Sequence, residues 1–477
     1  MLKLLNSYSK KLEPFKAAKG KTVTMYNCGP TVYDYAHIGN LRAFLFADVL
    51  RRYLEYQGYK VKQVMNITDV GHALGDVDVG RDKIEETVVR EQLTPEQVVS
   101  KYSEAFFKDI DALNVERASV YPRATEHVGE MIKLISILLR KKIAYRVGED
   151  VYFDLSKFLK YGKLSGNTVN ALVAGHRVEV NPKKKHPYDF ALWIHNPRHL
   201  MQWDSPWGKG YPGWHIECSA MSMKYLGATI DIHTGGEDNK FPHHEAEIAQ
   251  SEAATGKPFV RYWLHAAHLM VNGEKMSKSL GNYFRLDDLV NKGYAPREVR
   301  YALIASHYRD AQNVTFTALD AAASAIGKLD SLWGRLNSKS AIRNPQSKTK
   351  SIKQVLTSAK LNFGTAMDND LNTPAALAAV FRFVHEMNAS LDRGVSDLER
   401  VAAKKLLKEL MIDTFGIPLT EVAEEKAPHA VEKLLEDREI ARAEKDFDRA
   451  DELRDEIKKR GFEILDTSSG PKLKKVS

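Results

Sequence analysis

Between Lys21 and Ile67 the spacing of apolar positions changes twice. Val23-Thr-Met-Tyr26 is a short, β-branched apolar run and predicts a strand from Lys21 toward Gly29. From Leu41 to Tyr56 the residues Leu41, Leu45, Val49, Tyr53 and Tyr56 share one helical stripe, and Gly58 supplies the stop. Lys60 to Ile67 returns to a strand pattern. Strand, loop, helix, strand is a βαβ unit, so the fold class is α/β with a parallel sheet. Ligands then belong at the carboxyl ends of the strands, where Cys28, His37 and Thr68 fall.

Further on, Gly71 to Glu85 is a polar, Asp- and Gly-rich loop pattern, and Thr94 to Leu113 and Glu126 to Lys142 are helical. Val151-Tyr-Phe-Asp154 marks a β-rich insertion, and the sheet resumes between Gly213 and Ala266, with Thr229-Ile-Asp-Ile232 as one strand. Helical patterns dominate from Pro296. Asn337 to Lys350 is rich in Ser, Asn and Lys and contains no acid, which predicts a mobile basic linker. Leu377, Val380, Phe383, Val384 and Met387 mark an amphipathic helix, and Ala430 to Arg460 a long, charged helical stretch.

At 477 residues, 43% of them hydrophobic and 28% charged, the chain is long enough for several domains, and no apolar run in it is long enough to span a membrane. The net charge of +8 suits a polyanionic partner such as RNA without identifying one. The N-terminal Met1-Leu-Lys-Leu-Leu has too short an apolar run for a signal peptide, so a cytoplasmic protein is expected. Two cysteines, Cys28 and Cys218, cannot build a disulfide framework. A single Cys28–Cys218 disulfide is one reading of them, and shared metal ligation is the other.

Metal ligation is favoured by Asp231-Ile-His-Thr-Gly-Gly-Glu-Asp-Asn-Lys-Phe-Pro-His-His-Glu-Ala-Glu247. Pro242 opens a helix there, and His243 and Glu247, four residues apart, share one of its faces. With Cys28 and Cys218 they form a candidate zinc site, structural or substrate-binding. Two further motifs are suited to phosphate chemistry. His37-Ile-Gly-Asn40 places an imidazole and a carboxamide at a helix N-terminus, and Gly39 permits close backbone approach. Lys275-Met-Ser-Lys-Ser279 puts two lysines and two hydroxyls in a loop between Gly273 and Gly281.

These two motifs resemble the ATP signatures of class I aminoacyl-tRNA synthetases. Asn27-Cys-Gly-Pro-Thr-Val-Tyr-Asp-Tyr-Ala36, Trp203-Asp-Ser-Pro-Trp-Gly208, Pro212-Gly-Trp-His-Ile-Glu-Cys-Ser-Ala-Met221 and Phe241-Pro-His-His-Glu245 make the resemblance that of the cysteinyl-tRNA synthetase family. It implies a Rossmann-type parallel sheet with an inserted connective domain, followed by a helical stem-contact region and an anticodon-binding bundle. The expected boundaries are 1–127 and 207–265 for the two catalytic halves, 128–206 for the insertion and 266–335 for the stem-contact domain. The linker is expected at 336–350, the bundle at 351–420 and the anticodon-reading region at 421–477.

The resemblance implies catalytic roles for His37, Asn40, Lys275 and Lys278. ATP contacts are implied for Gly29, Thr31, Gly39, Asp238, Ser277 and Ser279 besides those four. Gly29, Thr68, Trp214 and His233 are implied at the amino-acid pocket. One zinc per chain on Cys28, Cys218, His243 and Glu247 would select cysteine over serine, since a thiolate is a good zinc ligand and an alcohol is not. ATP with magnesium, cysteine and tRNA(Cys) are the implied substrates, acting on a monomer. Two other readings stay open: a ligase joining cysteine to an amino sugar, and a non-catalytic tRNA-binding paralogue. Three positions depart from the family pattern: the longer Val70-Gly-His-Ala-Leu-Gly-Asp-Val-Asp-Val-Gly80, Tyr211 where arginine is common, and a C-terminus without the tryptophan often seen there.

Overall fold

The structure is a computed structural model that describes residues 1–71, 82–168, 181–276, 282–338, 351–421, 429–467 and 470–475. The linker expected at 336–350 therefore lies outside the described residues beyond Ser338, and so does most of the expected loop after Gly71. The chain forms two compact units. One comprises Met1–Gly327, Leu356–Phe383 and Lys405–Leu419, the other Lys328–Val355, Val384–Lys404 and Thr420–Ser477.

The larger unit opens with a hairpin, β1 (Lys3–Asn6) and β2 (Lys11–Pro14), followed by β3 (Thr22–Asn27), α1 (Ile38–Tyr56) and β4 (Lys60–Met65). Helices α2 (Lys83–Glu91), α3 (Pro95–Ala112) and α4 (Val128–Arg140) lead into an antiparallel sheet of β5 (Ala144–Val147), β6 (Asp150–Phe153), β7 (Phe190–Ile194) and β8 (Tyr211–Pro212). The chain then returns through α5 (Trp214–Leu226), β9 (Ile230–Gly236), α6 (His243–Thr255) and β10 (Val260–Ala266). The main sheet has the order β10-β9-β3-β4, with every pair parallel. The crossover from β3 to β4 runs to one side and that from β9 to β10 to the other. A crevice must open between the carboxyl ends of β3 and β9, the switch point where such sheets bind ligands.

One element differs from expectation here. The predicted loop to Glu85 gives way to α2, because Asp82 caps it by accepting from the Ile84 and Glu85 N–H groups, and Glu85 and Glu86 occupy its first turn.

After β10 come β11 (Leu269–Val271), β12 (Glu274–Lys275), α7 (Leu286–Val290), α8 (Pro296–Ile304) and β13 (Gln312–Val314), with β11 between β12 and β13. Helices α9 (Phe316–Asn337), α10 (Ile352–Asp368), α11 (Thr373–Arg393) and α12 (Asp397–Leu407) follow. The predicted stripe of α11 is buried throughout. In the smaller unit the single helix expected over Ala430 to Arg460 is two, α13 (His429–Ala443) and α14 (Phe447–Lys459). Lys445 takes a left-handed φ of 63° and Asp446 caps α14, which breaks the run. A hairpin not anticipated from sequence, β14 (Phe462–Thr467) and β15 (Gly470–Lys475), follows, with Val431, Ile457 and Phe462 packed together.

Arg300, on α8, is fully buried. It pairs with Asp48 on α1 and donates to the carbonyls of Phe415 at 2.6 Å, Leu113 at 2.8 Å and Asn114 at 3.0 Å. Gly416 makes room for it: φ is 63° there, and a Cβ would stand 2.3 Å from the guanidinium. Burial pushes the Asp48 carboxyl up, but Arg300 and Arg52 outweigh this and hold it below the ordinary carboxylate value. With the folded value lowered, this stabilisation is complete above the unfolded carboxylate value and fades as pH falls below it. Asp48→Asn should cost about 3–5 kcal/mol, because it strands a buried guanidinium. Urea unfolding near neutral pH measures this, and a cost under about 0.5 kcal/mol would contradict the assignment.

Candidate active site and metal centre

Three elements deliver four donors to the mouth of the crevice. Cys28 follows β3, Cys218 lies on α5, and His243 and Glu247 lie one turn apart on α6. Their ligand atoms all fall within 4.8 Å of one another, and both cysteines are free thiols, not a disulfide. A tetrahedral zinc site with bonds of about 2.0–2.3 Å needs donors roughly 3.3–3.8 Å apart, so the set fits such an ion with small side-chain adjustments. A second set, Cys28, His233, His244 and Glu247, meets the same distance limit and shares two donors with the first.

Glu247 joins the two sets. It is fully buried, with Oε1 3.3 Å from His243 Nε2 and Oε2 3.1 Å from His233 Nε2. His244 Nε2 lies 3.2 Å from Cys28 Sγ, and its Nδ1 lies 2.8 Å from His265 Nε2. The hydrogen bond to Cys218, burial and the Glu247 carboxylate hold the Cys28 thiol well above its ordinary value. Burial pushes Glu247 up and His244 well down. Burial thus disfavours the charged forms of the thiol, the carboxyl and the imidazole alike. A divalent cation would draw the protons off the acids and take all of them as ligands.

Next to the cluster is a cleft of about 430 Å³ lined by Cys28, Gly29, Thr31, His37, Gly39, Asn40, Thr68, Trp214, Cys218, Asp238 and His243. His37 caps α1: its Nδ1 accepts from the Gly39 N–H at 3.1 Å and the Asn40 N–H at 3.3 Å, and Asn40 Oδ1 accepts from the His37 N–H at 3.2 Å. With Nδ1 accepting, the ring hydrogen sits on Nε2, which makes the imidazole a donor. Met276 also lines the cleft, its Cε 2.7 Å from where a Cβ at position 39 would stand. A Cβ on Gly29 would stand 1.8 Å from the Asn66 carbonyl oxygen, so the turn after Cys28 requires glycine.

The other predicted positions divide. Thr68 lies in the cleft, accepting from Asn66 Nδ2 at 3.0 Å and donating to Glu217 Oε2 at 3.1 Å. His233, expected at the amino-acid pocket, is fully buried, with Nε2 on Glu247 and its ring stacked on Trp263 at 4.5 Å between centroids. Lys275 pairs with Met270 through its backbone in β12, while Ser277, Lys278 and Ser279 lie outside the described residues. Sequence reasoning missed His244, Glu217 and Lys83. His244 and Glu217 adjoin predicted ligands and carried no separate signal, and Lys83 sits where a loop was expected.

Fold and cleft define a class I aminoacyl-tRNA synthetase. The fold is shared with the methionyl-tRNA synthetase of Mycobacterium tuberculosis bound by methionyl-adenylate, with a TM-score of 0.58, 14% identity, and 83% of this chain and 92% of that one covered. The LeuRS ternary complex of Agrobacterium radiobacter K84 gives 0.60 at 12% identity, covering 84% and 85%. Residues 14–324 match the class I (C) tRNA synthetase catalytic domain, 362–420 the DALR domain, and 424–470 the cysteinyl-tRNA ligase anticodon binding domain. Cysteine–tRNA ligases of Chlorobium chlorochromatii and Chlorobaculum tepidum are 42% and 44% identical over 98% of both chains. That of Caldicellulosiruptor saccharolyticus is 42% identical over the whole of both. The chain belongs to the cysteine–tRNA ligase family.

Cys218→Ser should fold as judged by circular dichroism, yet lose its zinc on dialysis, as measured by plasma emission. Full zinc retention would move the ion to the His233–His244 set.

Proposed function

We propose that the chain activates cysteine with ATP, releasing pyrophosphate, and transfers the cysteinyl group from the adenylate to the terminal ribose hydroxyl of tRNA(Cys), releasing AMP. The observation that carries this is the convergence of Cys28, Cys218, His243 and Glu247 within 4.8 Å at the end of the ATP-motif cleft. Bound there, zinc would supply a soft Lewis acid that holds a thiolate and rejects a hydroxyl, which gives selection against serine without an editing step.

The chain's own residues do the rest by positioning and charge. The Nε2–H of His37 and the carboxamide of Asn40 stand at the N-terminus of α1, where the helix dipole favours phosphate. Gly29, Thr31, Gly39 and Asp238 line the nucleotide's path, and Thr68 and Trp214 wall the amino-acid end. In this reading Lys275, Ser277, Lys278 and Ser279 bind the β- and γ-phosphates with magnesium. Lys278 carries most of the transition-state charge. His233 supports Glu247 from behind and does not touch the amino acid.

The partition at residues 127, 206, 265, 335, 350 and 420, a monomeric state and a cytoplasmic location belong to the same proposal. Among the described residues no helix is long and apolar enough to cross a membrane. The match of 424–470 to an anticodon binding domain favours tRNA over an amino sugar as acceptor.

ATP–pyrophosphate exchange should depend on cysteine and not serine, with one zinc per chain in the same sample. Absence of exchange from folded, zinc-loaded protein would overturn the reading. Lys278→Ala should lower exchange by at least about 10²–10³-fold while keeping its zinc. Normal exchange by that variant would remove Lys278 from the catalytic set.

A further inference from the structure

Tyr211, one of the departures from the family pattern, reaches the start of α2 through His199. Asp82, the cap of that helix, places Oδ2 2.9 Å from His199 Nε2. The His199 ring stacks on Tyr211 with centroids 3.8 Å apart and planes 14° apart, and its Nδ1 lies 2.6 Å from the Met201 carbonyl. Asp82, His199 and Tyr211 are all buried. The insertion therefore clamps the first turn of α2 in place.

The residue so fixed is Lys83. Its Nζ lies 5.2 Å from the centre of the Tyr33 ring and 5.5 Å from that of Trp214, and all three residues line the cleft. Trp214 in turn packs 5.0 Å from His243, one of the four metal donors, which puts the ammonium at the amino-acid end. Among the described residues Lys83 meets these aromatic faces and no carboxylate. Aromatic faces hold a cation without neutralising it, so its charge stays available to an anion. If cysteine is the amino acid activated, as proposed above, its α-carboxylate is the anion that reaches this end of the cleft.

We propose that Lys83 binds one oxygen of the substrate's α-carboxylate, and that Asp82, His199 and Tyr211 position it. The other carboxylate oxygen is left to attack the α-phosphate. Lys83 is thus a binding residue of the activation step, and the three clamp residues are positioning residues.

The test uses the full-length, zinc-loaded protein and its Lys83→Met, Lys83→Arg and His199→Ala variants in ATP–pyrophosphate exchange. Cysteamine, which keeps thiol and amine but has no carboxylate, serves as a competitive inhibitor. Lys83→Met should raise KM for cysteine about 10- to 100-fold, as loss of a hydrogen bond between charged groups does. KM for ATP and the cysteamine inhibition constant should stay within about twofold, and Lys83→Arg should recover part of the loss. His199→Ala should raise KM for cysteine in the same direction with unchanged zinc content. An unchanged KM for cysteine in Lys83→Met would overturn the proposal. So would an equal loss for cysteine and cysteamine, or a loss confined to ATP, which would assign the lysine to a phosphate. Failure of the wild-type protein to exchange with cysteine would instead remove the functional reading beneath it.

Discussion

Glu247 is a carboxylate with no exposed surface, ringed by His233, His243, His244 and two thiols. A buried charge of this kind is costly unless a cation or a set of donors offsets it. Histidine partners do so in part, and a divalent metal would do so in full. The placement of β3, α5, β9 and α6 around one point follows from that requirement. Each of these elements delivers a donor to the cluster. The metal site and the core of the catalytic unit are therefore one structure.

The sheet order ties this cluster to nucleotide chemistry. β3 and β9 are neighbours whose crossovers leave in opposite directions, so the turn carrying Cys28 and the Gly235-Gly236 end of β9 face the same crevice. α1 starts from that crevice, and its cap fixes the tautomer of His37. The middle of α1 is held by the pairing of Asp48 with Arg300. The same helix thus presents its N-terminus to the cleft and, through Asp48 and Arg300, anchors the segment around Phe415. Arg300 is an internal strut between the two.

How much of this was legible beforehand depended on whether the signal was local. The βαβ unit, the buried stripe of α11 and the shared face of His243 and Glu247 follow from periodicity, which acts over a few residues. The convergence of Cys28 with Cys218 is set by tertiary packing, and the sequence offered it as two readings, a disulfide or shared metal ligation. The burial of Arg300 and His233 was not legible because burial of a polar side chain depends on distant partners: Asp48 for one, Glu247 for the other. α2 was missed because Asp82 looks like one more loop acid until the helix it caps is seen. The break at Lys445 and the hairpin after Phe462 turn on single backbone angles and a weak alternation, which a charged helical pattern hides.

Cobalt(II) substituted for the native metal would test the central claim most directly, because its visible spectrum reports the ligands. Wild-type protein loaded with one cobalt per chain should show a tetrahedral spectrum with thiolate charge-transfer bands. Those bands should intensify when cysteine is added and stay unchanged with serine. A spectrum indifferent to cysteine, from protein still able to activate it, would contradict selection through the metal and leave the cluster a purely structural one.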